Sequence, residues 1–146
     1  MITLTVEGFS SNRLDRLGEI LSNLSGQSGA IAIKVISEDE VRELNSRYSG
    51  ENRSTDVLSF DYKEDAEVEA GSDLGDIVIS YEHMQRQADA ADTTVETEFL
   101  LLVTHGVLHI LGYDHQDEAE KTKMDDVQAD VMDRLGLPYR NFGWRN

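Results

Sequence analysis

The chain has 146 residues, with 29 Asp and Glu against 13 Lys and Arg and a formal net charge of −16. That length fits one domain over residues 1–146, large enough to bury a core without staples. The absence of Cys excludes disulfides, thiolate metal sites and Cys nucleophiles, and the charge stands against a surface that binds nucleic acid through Lys and Arg.

In chain order, Ile2, Leu4 and Val6 alternate with Thr3, Thr5 and Glu7 and predict a strand with one buried face. Leu14, Leu17, Ile20, Leu21 and Leu24 recur at three- and four-residue spacing, predicting an amphipathic helix over 12–25 that stops near Gly26. Residues 30–36 read as a second strand, and Ser37 with Glu40 as a capping box for a helix running to Tyr48. Residues 56–60 and 76–80 read as two more strands, the second rich in β-branched residues and therefore central, with Asp76 a structural acid at its start. A helix over 81–91 follows. Thr93 and Glu96 then form a capping box before FLLLVTHGVLHILG, which is too apolar for a surface helix and too short to span a bilayer. A last helix over 117–135 turns Met124, Val127, Val131 and Leu135 inward and ends at Gly136 and Pro138. The expected fold is mixed α/β (α+β): a single layered domain with a small mixed sheet of about four strands and about five helices, and a metal site at the end of the buried helix.

The start of the chain has neither a basic n-region nor a long apolar h-region, so a cytoplasmic protein without a membrane partner is expected. The acids cluster, with six between residues 61 and 73 and eight between 114 and 133. Four Lys against nine Arg, beside abundant acids, fits either a surface suited to concentrated salt or ordinary solubility charge.

Three of the four His fall in HGVLHILGYDH. His105 and His109, at i and i+4, share one helix face. Gly112 lets the chain reverse so that His115 returns to the same point. Three imidazoles with an open fourth position are the pattern of a catalytic zinc site, where a metal-bound water can reach a pKa of ~7. The competing account, core His residues with satisfied hydrogen bonds, fits a lone His better than three at this spacing. Thr104, Tyr113 and Asp114 adjoin the set. Asp114 is a candidate to orient a ligand imidazole, or else a turn residue. His83 is expected at the surface. The spacing also matches metzincin proteases, but Gly106 stands where they carry the Glu that acts as base.

These residues are similar to the signature of the YbeY family of bacterial endoribonucleases. STDVLSF (54–60), LGDIVIS (74–80), ETEFLLLVTHG and MDDVQADVM also resemble blocks of that family, whereas the first thirty residues match in pattern only. The resemblance implies one Zn2+ ion held by His105, His109 and His115, and cleavage of single-stranded RNA. It further implies 3′-end maturation of 16S ribosomal RNA on the small ribosomal subunit, ribosome quality control, and a ribosome-associated protein partner. The family's substrate-facing Arg is replaced here by Ser49, and its Pro before TDVLSF by Ser54. Arg53, in the loop leading into the strand, is the expected substitute at a phosphate, or else a solvated loop side chain, with Arg47 as a further substrate contact. Tyr139, Arg140, Phe142, Trp144 and Arg145 either contact RNA or pin the C-terminus to the domain. Either water or the RNA 2′-hydroxyl fits these residues as nucleophile. The alternatives to a ribonuclease are a peptidase-like metal hydrolase and a non-catalytic ribosome-assembly factor.

Overall fold

A computed structural model of the chain describes residues 1–49, 57–61, 73–113 and 116–139. Strands Ile2–Glu7 (β1), Gly29–Ile36 (β2), Val57–Asp61 (β3) and Asp73–Ser80 (β4) form one sheet in the order β1-β2-β4-β3. β1, β2 and β4 are parallel, and β3 adds to the edge of β4 antiparallel. The described helices are Leu14–Ser25 (α1), Glu38–Ser49 (α2), Tyr81–Ala90 (α3), Val95–Ile110 (α4) and Glu118–Arg134 (α5). This is the mixed α/β layer expected from the alternation of strand and helix periods.

The register aligns the apolar positions of neighbouring strands. Leu4 lies beside Ile31, Ile33 beside Ile77, and Val35 beside Ile79. Because side chains alternate between faces, these rows build one continuous apolar surface. Against it lies α4, whose Phe99, Leu100, Leu102, Val103 and Val107 are fully buried. A helix that is apolar around most of its circumference must be enclosed, and α4 is flanked by α1, α3 and α5 as well as by β3 and β4.

Four expectations change in detail. β4 begins at Asp73, so Asp76 lies within the strand, opposite Ala32 and Phe60, rather than at its start. Leu24 is exposed because it falls in the last turn of α1, just before Gly26 closes the helix in the left-handed region. The cap of α4 is Thr94, whose hydroxyl accepts from the Thr97 N–H at 3.1 Å. Glu96, expected to complete a box with Thr93, instead binds Arg13 at 2.6 Å and Ser11 at 2.9 Å, tying the start of α1 to the start of α4. On α5 the buried stripe includes Gln128, while Val127 is only partly buried. Ser37 caps α2 as expected, its Oγ accepting from the Glu40 N–H at 3.2 Å, while the Glu40 carboxylate takes the Ser37 hydroxyl at 3.0 Å.

One glycine sets the distance between layers. A Cβ at Gly18 would sit 2.6 Å from the carbonyl oxygen of Ile2, so α1 can lie this close to β1 only with no side chain there. Gly18→Ala is therefore expected to destabilise the protein by about 1–3 kcal/mol, as overpacking does. Urea unfolding checks this; a midpoint equal to wild type would contradict the close approach.

Candidate metal centre

α4 carries the two described histidines of the motif one turn apart on one face, with ring centroids separated by 6.4 Å and planes inclined by 32°. His105 is 7% exposed, whereas His109 faces solvent. The pair thus runs from the edge of the core to the surface. Thr104, beside them, is fully buried and donates its hydroxyl to the Leu100 carbonyl at 2.7 Å within the helix.

Each imidazole is held through Nδ1. His109 Nδ1 lies 2.9 Å from the carbonyl oxygen of Tyr113. A carbonyl can only accept, so this nitrogen carries the proton and Nε2 holds the lone pair. The turn that delivers the carbonyl is a Schellman motif. The Gly112 N–H bonds the His109 carbonyl at 3.1 Å and the Tyr113 N–H bonds the Leu108 carbonyl at 3.0 Å, with Gly112 at φ +110°. His105 Nδ1 lies 2.6 Å from Gln128 Oε1, on the facing side of α5. Donating from Nδ1 to a fixed oxygen is how metal-binding imidazoles are commonly oriented, with Nε2 presented to the ion. The described donor set therefore fits a divalent ion that prefers nitrogen, such as zinc.

Gln128 was not legible as a site residue. It is fully buried among Met124, Val131 and Met132, and its Nε2 donates to the Tyr139 hydroxyl at 3.1 Å. Tyr139 in turn donates to Asp125 Oδ1. The available signal was a polar residue on the apolar stripe of α5, in line with Met124 and Val131. Tyr139 reaches this position because a second Schellman turn, at Gly136, reverses the chain after α5. Of the aromatic tail, Tyr139 is partly buried against the core, as pinning requires.

Beside His109 a groove is lined by Leu111, Gly112, Tyr113, Glu120 and Lys123. The Lys123 ammonium stands 5.7 Å above the Tyr113 ring, within reach of a cation–π contact. Six other described cations are engaged by acids: Arg13 with Glu96, Arg16 with Glu19, Arg42 with Asp39, Arg86 with Glu38, Lys121 with Glu118 and Arg134 with Asp130.

His115, Asp114, Arg53, Ser54, Arg140, Phe142, Trp144 and Arg145 lie outside the described residues, as does the side chain of Arg47, which falls near the end of α2. Among the described residues alone, no group of three His, Cys, Asp or Glu could hold an ion. His83, expected at the surface, is half-buried in the first turn of α3. Its Nε2 lies 3.4 Å from Gln87 Nε2, and its Nδ1 has no hydrogen-bond partner among the described residues. Among the described residues, no helix is long and apolar enough to cross a membrane.

A family model described as Endoribonuclease YbeY matches residues 9–136. A protein named Endoribonuclease YbeY from Halalkalibacterium halodurans is 40% identical over 73% of this chain and 72% of its own length. One of the same name from Shouchella clausii is 34% identical over 93% of this chain and 95% of its own length. The solution structure of a Thermotoga maritima protein superposes with a TM-score of 0.62 at 29% identity, covering 92% of this chain and 89% of that one.

The turn at Gly112 supplies a test of the site. A Cβ there meets no described atom within 4 Å, so Gly112→Ala would act only through backbone strain at φ +110°, about 1–2 kcal/mol. Because that turn aims the Tyr113 carbonyl at His109, the variant is expected to bind zinc at least 10-fold more weakly in competition with a chelator. Unchanged affinity would mean that this carbonyl does not orient His109.

Proposed function

Because the chain belongs to the YbeY endoribonuclease family, we propose that it is a single-strand-specific, metal-dependent endoribonuclease with one zinc ion held by His105, His109 and His115. Its substrate in the cell would be ribosomal RNA of the small subunit, in 3′-end maturation and quality control, reached in the cytoplasm with the help of a ribosome-associated protein partner. The observation that carries this reading is the pair of imidazoles on α4, each with Nδ1 donating to a fixed oxygen, Gln128 Oε1 or the Tyr113 carbonyl.

A bound ion at an open coordination position supplies a Lewis acid for a phosphoryl oxygen and acidifies water. The chain's own residues do the rest. His105, buried, would hold the ion at the edge of the core, and His109, exposed, would hold it where a polymer can approach. Lys123 and Tyr113 border the groove beside His109 and supply a cation for a phosphate and a ring for a base, the two contacts that sequence-tolerant single-strand binding uses. Arg53 and Arg47 remain the proposed substitutes for the Arg replaced by Ser49, and Asp114 a proposed partner for a ligand imidazole. Gly106, buried within α4, has no side chain to act as the base of a peptidase, which weighs against that alternative.

Metal-replete protein incubated with single-stranded ribosomal RNA fragments is expected to cleave them. Chelator treatment or His109→Ala should each lower the rate at least 100-fold while circular dichroism stays unchanged. Lys123→Ala is expected to raise KM several-fold with little change in kcat. Equal cleavage by wild type, chelated protein and His109→Ala would contradict the proposal and mark a contaminating nuclease.

A further inference from the structure

We propose that Asp125 and Tyr139 act through the carboxamide of Gln128 as positioning residues, holding His105 in the Nδ1–H tautomer that leaves Nε2 to the metal. The inference rests on the assignment of His105 as a ligand.

The three groups form one directed chain from the surface to the ligand. Tyr139 donates to Asp125 Oδ1, Gln128 Nε2 donates to the Tyr139 oxygen at 3.1 Å, and His105 Nδ1 donates to Gln128 Oε1 at 2.6 Å. Direction is the point. A primary amide has an acceptor end and a donor end of nearly equal shape, so a buried Gln alone can present either to the imidazole. Turned the other way, its NH2 group would donate to Nδ1, the ring proton would move to Nε2, and the nitrogen aimed at the ion would lose its lone pair.

A carboxylate breaks that symmetry, because it only accepts. With the Tyr139 proton directed at Asp125, the phenol oxygen offers a lone pair to Gln128. The amide nitrogen then faces Tyr139 and the amide oxygen faces His105. The part of the chain behind Gln128 is set by neighbouring geometry on α5 and the turn after it. Asp125 and Gln128 are i and i+3 on α5, one beside the other, and Gly136, at φ +74°, turns the chain so that Tyr139 meets both. Gln128 is fully buried, so water does not compete for either end of its amide.

A merely structural role for these residues would move stability but not the tautomer. The test therefore reads His105 in metal-free protein by long-range proton–nitrogen NMR, with zinc affinity measured by chelator competition and Tm as the control. Wild type is expected to show Nδ1–H at His105. Asp125→Asn, whose amide can turn either way, and Tyr139→Phe, which removes the link, are expected to populate the Nε2–H form and weaken zinc binding about 10-fold. Gln128→Glu introduced into Asp125→Asn should restore the affinity to within a few-fold, because a carboxylate accepts from Nδ1 whatever lies behind it. Asp125→Asn and Tyr139→Phe that keep the wild-type tautomer, and affinity within twofold, would overturn the proposal. Zinc that binds without engaging His105 would contradict the metal assignment, and the tautomer in metal-free protein would still decide whether Asp125 and Tyr139 set it.

Discussion

A polar ring on a buried helix must place its N–H on an acceptor, since a buried donor without a partner costs roughly 1–3 kcal/mol. That constraint organises the end of this molecule. α4 is enclosed along most of its length, yet it carries His105 into the core, and the acceptor comes from the neighbouring helix α5. Gln128 is therefore buried on a stripe that would otherwise be apolar. Its own NH2 group needs an acceptor in turn, and Tyr139 supplies it. One imidazole thus fixes the packing of two helices and the path of the chain after the second.

The two Schellman turns make this arrangement local. At Gly112 the chain turns so that the carbonyl of Tyr113 meets His109; at Gly136 it turns so that the hydroxyl of Tyr139 meets Gln128 and Asp125. In both places a residue with positive φ follows a helix end, and the residues just beyond it orient a candidate ligand. The site is built from helix ends on a rigid packed element, the placement that holds a metal ligand most closely.

Periodicity made β1 and α1 legible because each has one strongly apolar face. The alternation of Ile2, Leu4 and Val6 and the spacing of Leu14, Leu17, Ile20 and Leu21 correspond to buried positions of β1 and α1, although Val6 is only partly buried. The pairing of His105 with His109 was legible for the same reason: i and i+4 on one helix must share a face. What was not legible depends on tertiary contact. Glu96 had the spacing of a capping residue, but Arg13, 83 positions away, takes it instead. Gln128 stands 23 positions from His105 and Tyr139 a further 11 from Gln128, separations that no local pattern encodes. The only trace was a glutamine where the helix stripe called for an apolar residue.

The net charge of −16 is less of an objection to an RNA substrate than whole-chain arithmetic suggests. Several of the acids are engaged with Arg and Lys of the same chain, while Lys123 stands at the groove beside His109. Binding would then lean on metal coordination, stacking and a few local cations rather than on a broad basic face. All of it depends on two imidazoles presenting Nε2 to one ion, and anomalous diffraction at the zinc edge from crystals of zinc-loaded protein tests that most directly. The account predicts one ion bonded to Nε2 of both His105 and His109, with each Nδ1 still on Gln128 or Tyr113. An ion bound through either Nδ1, or held elsewhere with these two rings uncoordinated, would contradict it.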